Sequence, residues 1–86
     1  MAVDTQTLRS ELRQFVVDSF LIGEEDAGFG DADSFMRSGI IDSTGILELT
    51  AFLEQRYGVT VEDNEMVPTN LDSIENLVTY LTRKLS

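Results

Sequence analysis

The sequence predicts an all-α fold, a bundle of three main helices plus one short helix, with a long loop between the first and second helices. Apolar residues recur at helical spacing in three separate segments of the chain. One short alternating stretch has no second strand with which it could pair. The 86 residues contain no internal repeat or linker, and this length suits a single domain spanning residues 1–86.

The first helix is predicted over residues 4–22, and either Asp4 or Thr5 can cap it. Residues 23–38 carry three glycines and five acidic residues with little helical periodicity. We expect this segment to form the long loop, with Phe29 and Phe35 as its anchors in the core. The residues expected on the inner face of the first helix are Leu8, Leu12, Phe15 and Ser19 or Ile22.

The second helix is predicted to begin around Asp42 and to stop at Gly58, a residue type that suits the position after a helix. Leu47 and Ala51 are apolar but lie off the core-facing stripe of this helix, on the same side as Ser43. They are therefore expected at the surface beside the serine. The core-facing stripe consists of Ile46, Leu49, Leu53 and Tyr57.

A connector and a short helix are predicted to follow. Residues 59–61 alternate like a strand, and we interpret them as an extended connector that buries Val59 or Val61. A short, irregular helix is expected over residues 62–67, and Pro68 is expected to end it.

The last main helix has the clearest signals. Asp72 is predicted as its N-cap, and Glu75 three residues later completes a capping-box pattern. Arg83 and Lys84 fall in the last turn, where positive charge interacts favourably with the helix dipole. The apolar face of this helix consists of Ile74, Leu77, Val78, Leu81 and Leu85.

Composition narrows the possible functions. The chain has neither cysteine nor histidine, which excludes thiol nucleophiles, Ser-His-Asp triads and metal sites built from thiolate or imidazole. Sixteen acidic and six basic residues give a net charge of −10, which disfavours binding to nucleic acid and anionic lipid. This acidity either attracts a partner with a basic patch or serves only to keep the protein soluble. The sequence shows neither a membrane-inserting apolar run nor a secretory signal, and we expect a monomeric cytoplasmic protein.

Clustered carboxylates suggest two further chemistries, and neither fits. Asp31, Asp33 and Asp42 have the spacing of a calcium loop, but Phe35 stands where a ligand is needed and Met36 where a glycine must turn the chain. Adjacent carboxylates elsewhere in the chain define no pocket for acid-base chemistry. We therefore predict no metal site and no catalytic residues.

Ser43 has two interpretations at this level. It or Asp42 can simply be the N-cap of the second helix. Alternatively, the serine accepts a phosphodiester, because free N–H groups and the positive end of the helix dipole stabilise added negative charge at this position. A nucleophilic serine enzyme would need a base, whereas an acceptor serine modified by another enzyme does not.

The segment Gly39-Ile40-Ile41-Asp42-Ser43-Thr44 and the helix after it resemble the acyl carrier protein family, which includes the peptidyl and D-alanyl carrier proteins. The family signature is Gly-x-x-Asp-Ser-Leu, and its serine carries 4′-phosphopantetheine. The Tyr57-Gly58-Val59-Thr60-Val61 close of the second helix and residues 73–81 also resemble this family. The resemblance covers essentially the whole domain, and the expected helix order agrees with the family fold.

The resemblance implies that Ser43 is the attachment site and that Asp42 assists the modifying transferase and its magnesium. It also implies a non-enzymatic carrier that holds an acyl or aminoacyl group as a thioester on the arm. The implied partners are a phosphopantetheinyl transferase, an acyl- or aminoacyl-loading ligase, and a downstream transferase or synthase. The residues that match the family's recognition face are Thr44, Leu47, Glu48, Ala51 and Glu54.

Three departures from the family pattern favour a specialised pathway over ordinary fatty acid synthesis. Thr44 stands where Leu or Met is usual, Gln55 and Arg56 stand where acidic residues are common, and the loop before the serine is unusually rich in glycine. The alternative hypothesis is an interaction or regulatory module whose acidic helical surface binds a partner and whose serine is never modified. A small calcium- or magnesium-dependent regulator is a third hypothesis.

Overall fold

The computed structural model describes residues 4–21 and 30–85, and these residues contain helices but no strand. The predicted all-α fold is confirmed. None of the helices in the described part of the chain combines the length and apolarity that crossing a membrane requires. The elements are α1 (Thr5–Phe20), α2 (Phe35–Ser38), α3 (Ser43–Tyr57), a 3-10 turn (Asp63–Glu65), α4 (Pro68–Leu71) and α5 (Ile74–Leu85).

Helix α1 begins as predicted and ends slightly earlier. The Asp4 carboxylate caps it by accepting a hydrogen bond from the backbone N–H of Gln6 at 3.0 Å. Ser19 is exposed, so its predicted place on the inner face is wrong, while Ile22 lies outside the described residues. Phe15 is only half-buried, because the stripe that enters the core is displaced to one side and consists of Leu8, Leu12 and Val16.

Helices α1, α3 and α5 enclose one apolar core together with residues from the connecting segments. Burying each large apolar side chain favours the folded state by about 1.5–3 kcal/mol, so this cluster is the main source of stability. The predicted core positions of α3 divide into two groups, since Leu49 and Leu53 are fully buried while Ile46 and Tyr57 are only half-buried. The fully enclosed side chains include Leu12, Val16, Phe35, Ile41, Leu49, Leu53, Leu71, Ile74, Leu77, Tyr80 and Leu81.

The segment predicted as a continuous loop contains the short helix α2. Phe35 is completely buried, which confirms its predicted role as an anchor, whereas Phe29 lies outside the described residues. Ser34 caps α2 by accepting a hydrogen bond from the Arg37 N–H at 3.1 Å. Gly39 ends the helix with a φ of 76°, a left-handed conformation that glycine adopts without strain.

The predicted cap of the last helix is wrong by one residue. Ser73, not Asp72, caps α5, because its Oγ accepts a hydrogen bond from the Asn76 N–H at 3.0 Å. The Asp72 carboxylate turns instead toward α2, where it accepts hydrogen bonds from the Ser34 hydroxyl and from the Met36 N–H. A residue with the right local pattern for a cap is thus used for a tertiary contact.

The region around Pro68 also differs from the prediction. The short turn covers Asp63–Glu65, and Pro68 begins helix α4 where we expected it to end a helix. Proline suits the first position of a helix, because its missing N–H would have no partner there and its φ is already helical. The expected connector is confirmed, since Val61 is buried and its N–H donates to the Glu54 carboxylate at 2.9 Å.

Glu65 joins the 3-10 turn to α5. Its Oε1 accepts hydrogen bonds from the Tyr80 hydroxyl and the Lys84 ammonium, each at 3.0 Å, and from the Glu62 N–H at 3.0 Å. The hydrogen bond from the Glu62 N–H and the contact with Lys84 lower the pKa of the Glu65 carboxyl. Burial of the Tyr80 ring and its bond to Glu65 raise the pKa of that hydroxyl to about 12.

We expect the two faces of α3 to respond oppositely to truncation. Leu53→Ala removes a fully buried side chain and should lower the free energy of unfolding by about 2–5 kcal/mol. Leu47→Ala removes a side chain that is 60% exposed, and its effect should stay within about 0.5 kcal/mol. Urea unfolding of the two variants measures both values, and equal losses would contradict this assignment of the helix faces.

The Glu65 cluster should make stability depend on pH at both extremes. Because the pKa of Glu65 is lowered on folding, its contribution is present above its unfolded pKa of about 4.3 and is lost as the pH falls through the folded value. Because the pKa of Tyr80 is raised, its contribution is present below about pH 10 and is lost as the pH rises towards 12.

The measurement is urea unfolding of wild type and Glu65→Gln over a range of pH. Comparing the two proteins cancels the general charge repulsion of an acidic chain. The difference in unfolding free energy should be largest near neutral pH and should shrink below about pH 4. Ultraviolet titration of tyrosinate in a Tyr57→Phe background should show a lower Tyr80 pKa when Glu65 is also replaced. An unchanged difference across the acid range would contradict the prediction.

Candidate functional site at the start of helix α3

Asp42 and Ser43 have separate roles at the start of α3. The Oδ1 atom of Asp42 accepts a hydrogen bond from the Gly45 N–H at 2.7 Å, and its carbonyl accepts one from the Ile46 N–H at 3.0 Å. Asp42 is therefore the N-cap, and Ser43 is the first residue of the helix. Ser43 is exposed, and its hydroxyl makes no hydrogen bond to any residue of the described structure. Asp42 alone therefore caps the helix, and the interpretation of Ser43 as the N-cap is wrong.

Gly45 allows this end of α3 to pack closely against its neighbours. A Cβ atom at this position would lie 2.8 Å from Ile41 Cγ2 and 2.8 Å from Phe20 Cε1. Both distances are shorter than carbon atoms tolerate, so a larger residue would force the Ile41 and Phe20 side chains or the start of α3 to shift. Sequence reasoning did not single out Gly45, because its φ is ordinary and only the tertiary contact explains it.

An apolar cleft of about 200 Å³ opens beside Ser43. Its walls come from α2, from the first turns of α3, and from the segment that leads into α4 and α5. Ile46 is half-buried because it faces this cleft, which explains why one predicted core residue of α3 is incompletely enclosed. The residues that line the cleft are Met36, Ser43, Ile46, Met66, Val67, Pro68, Leu71 and Asp72.

The large apolar side chains that remain exposed gather around this serine. In the described part of the chain they are Met36, Leu47 and Val67, with exposures of 49%, 60% and 38%. Met36 and Val67 line the cleft with Ser43, and Leu47 lies one turn further along α3. Exposed apolar patches on small soluble proteins commonly mark interaction surfaces. Sequence reasoning found only Leu47, because Met36 and Val67 reach the site through tertiary folding.

The predicted recognition residues share one outward side of α3. With about 100° of rotation per residue, all five fall between about 20° and 140° from Ser43. Each is exposed, and for Leu47 and Ala51 this is the position predicted from the helical periodicity. Glu54 has an additional structural role, because one of its oxygens accepts the hydrogen bond from the Val61 N–H. The five residues are Thr44, Leu47, Glu48, Ala51 and Glu54.

Arg56 lies on a different side of α3 from this surface. Its guanidinium contacts the Glu11 carboxylate of α1 at 2.5 Å, and the Tyr57 hydroxyl donates to the same carboxylate at 2.8 Å. The hydrogen bond from Tyr57 lowers the pKa of Glu11, and the guanidinium of Arg56 lowers it further. The basic residue that departs from the common family pattern therefore joins two helices and does not face the serine.

The three carboxylates that have calcium-loop spacing are used in three other ways. Asp31 accepts hydrogen bonds from Arg9 and Arg13, each at 2.8 Å. Asp33 accepts one from the Gly30 N–H at 2.7 Å, and Asp42 caps α3. Among the residues that the structure describes, no group of three or more potential side-chain ligands is arranged to hold a metal ion.

The chain matches a protein family whose description is "Phosphopantetheine attachment site", and the match spans residues 10–81. It is 32% identical over 79 residues to an acyl carrier protein of Petrotoga mobilis, covering 92% of this chain and 88% of that protein. It is 30% identical over 76 residues to PigG of Serratia sp., described as a probable acyl carrier protein, covering 88% of this chain and 86% of that one.

These matches agree with the fold and with the exposed serine at the start of α3. Carrier proteins of this type do not catalyse reactions themselves, and other enzymes act on the group that they hold. The chain therefore belongs to the phosphopantetheine attachment-site family, whose members carry 4′-phosphopantetheine as a covalent prosthetic group.

Proposed function

We propose that Ser43 Oγ forms the phosphodiester to 4′-phosphopantetheine and that the thiol of this arm holds an acyl group as a thioester. The observation that supports this most directly is the free, exposed hydroxyl at the first residue of α3, beside an aspartate that already caps the helix. The N-terminal end of a 15-residue helix also favours the negative charge of a phosphodiester.

Asp42 fits the role of assisting the transferase. Its Oδ1 is committed to capping α3, while its Oδ2 makes no hydrogen bond to any residue that the structure describes. A free carboxylate oxygen next to the acceptor hydroxyl can contribute to coordination of a magnesium ion brought by the modifying enzyme. In that arrangement one oxygen of the Asp42 carboxylate would hold the start of α3, and with it Ser43, while the other oxygen would contact the metal ion.

The proposed docking surface has Leu47 as its apolar centre. Glu48 and Glu54 supply negative charge on either side of it, and Thr44 and Ala51 complete the face beside the serine. Interfaces of this type gain most of their energy from a few apolar anchors, while the flanking charges guide orientation and encounter. The partners that we propose are a phosphopantetheinyl transferase, a loading ligase, and a downstream transferase or synthase.

The cleft supports an acyl cargo more than a charged one. Its lining is largely apolar, and its position next to Ser43 places it within reach of a flexible arm attached there. Aminoacyl groups would bring an ammonium to a wall whose one carboxylate, Asp72, already accepts hydrogen bonds from the Ser34 hydroxyl and the Met36 N–H. The names of both relatives, as acyl carrier proteins, agree with this proposal.

We also propose that the carrier acts as a monomer in the cytoplasm. The exposed apolar side chains surround the serine, and a dimer formed through them would cover the group that partner enzymes must reach. The cytoplasm supplies the coenzyme A from which a transferase takes the arm. A tethered cargo is then presented to successive enzymes at high effective concentration.

Modification of Ser43 is tested by intact mass after incubation with coenzyme A and a broad-specificity phosphopantetheinyl transferase. Wild type should gain the mass of one arm, and Ser43→Ala should gain none while keeping the wild-type melting temperature. Ser38→Ala, a change at another exposed serine five positions earlier, is the matched control and should be modified normally. If wild type never gains the arm, the unmodified interaction module becomes the better hypothesis.

The second testable proposal is that the cargo is specialised, and the residue on which this proposal depends is Thr44. Thr44 is exposed beside Ser43, where an enzyme of ordinary fatty acid synthesis would expect an apolar side chain. The missing contact amounts to roughly 1–3 kcal/mol of apolar burial. Thr44→Leu should therefore raise the rate at which fatty acid synthesis enzymes elongate the malonyl-loaded holo-protein.

The control for this experiment is Thr79→Leu, which adds the same side chain at an exposed position of α5. It should leave elongation unchanged. Wild-type elongation as fast as that of a housekeeping acyl carrier protein would refute the specialised cargo and leave the carrier function standing.

A further inference from the structure

Five of the six cationic side chains are held by partners within the fold. Arg9 and Arg13 contact Asp31, Arg56 contacts Glu11, Lys84 contacts Glu65, and Arg83 donates to the Asn70 side chain. Arg37 is the exception, since it is exposed and its guanidinium makes no ion pair or hydrogen bond with the described residues. In a chain with a net charge of −10, a cationic side chain without any internal partner is unexpected.

Arg37 belongs to helix α2, whose position is fixed by packing and hydrogen bonds. Helix α2 is anchored by the completely buried Phe35, whose N–H donates to the Asp72 carbonyl at 2.8 Å. The Asp72 carboxylate also accepts the Met36 N–H at 3.0 Å. Since Phe35 points into the core, about 200° of helical rotation directs Arg37 away from it. The guanidinium therefore projects outward from a fixed base.

The position of α2 puts Arg37 at the edge of the surface around Ser43. Met36, its immediate neighbour, lines the cleft together with Ser43 and Val67. Both Met36 and Val67 are among the exposed large apolar side chains described above. The apolar surface around the serine thus continues from α3 across the cleft to α2. The charged residues at its border are negative on the α3 side, at Glu48, and positive on the α2 side, at Arg37.

We infer that α2 is part of the docking surface and that Arg37 forms an ion pair with a carboxylate of the partner enzyme. This inference rests on the proposed carrier function of Ser43. The partner that fits has basic groups opposite the acidic side of α3, an apolar recess for Leu47 and Met36, and an acidic group opposite α2. Enzymes whose docking face is entirely basic meet Arg37 with like charge and are disfavoured.

The test uses holo-protein and a general malonyl transferase of fatty acid synthesis with a basic docking face as the probe. Arg37→Glu should raise kcat/KM for malonyl loading about three- to tenfold, mainly through a lower KM, with Arg37→Gln in between. The gain should disappear at high salt, because rim charges are screened. Arg83→Glu changes the net charge equally at an exposed site of α5 and should leave kcat/KM near the wild-type value.

A charge swap completes the test. Lys or Arg residues around the docking rim of the malonyl transferase are replaced by Glu, one at a time. At least one of these transferase variants should load the wild-type carrier faster and the Arg37→Glu carrier more slowly than the unmodified transferase does. If none does, or if Arg37→Glu and Arg83→Glu have the same effect, the inference is refuted. Intact mass is measured first for every variant. A protein without the arm refutes the proposed function, whereas fully modified variants with equal rates refute only the role of Arg37.

Discussion

The geometry of the site depends on the contacts that Asp72 makes with α2. Its carboxylate binds the Ser34 hydroxyl and the Met36 N–H, and its carbonyl binds the Phe35 N–H. Three polar contacts from one residue fix a helix of only four residues, which could not be stable alone. They also place Met36 in the cleft wall opposite Val67. Without them, the cleft beside Ser43 would have no wall on the α2 side.

Backbone hydrogen bonds connect the fixed position of α2 to the position of Ser43. The Phe35 carbonyl accepts hydrogen bonds from the Ile40 and Ile41 N–H groups, so the chain turns tightly before α3 begins. Ile41 is buried and contacts the start of α3 next to Gly45. The backbone at the serine is therefore fixed by packing, while the serine hydroxyl stays exposed and unbonded within the described structure. Under the proposed function, a modifying enzyme would therefore meet an acceptor hydroxyl whose position is already set.

Most of the positive charges stabilise the fold, whereas many of the negative charges remain at the surface. Most of the cations neutralise carboxylates that join distant parts of the chain, such as Glu11 between α1 and α3 and Glu65 between the 3-10 turn and α5. The remaining carboxylates give the surface a strong negative field, which speeds encounter with a basic partner. The Tyr57 hydroxyl bonds to Glu11 and the Tyr80 hydroxyl bonds to Glu65, so a half-buried ring supports the first of these ion pairs and a fully buried ring the second.

The sequence by itself determined the helical fold class, the two faces of α3, the end of α3 at Gly58, whose φ is 69°, and the exposed serine. Each of these follows from local periodicity or local backbone preference. Only the tertiary structure decided the roles of Asp72 and Gly45 and brought Met36 and Val67 to the cleft. Asp72 bonds to residues 36 and 38 positions away, and its local pattern equally suits a helix cap. A local pattern shows which groups need partners, but the packing of the helices decides which partners come within reach.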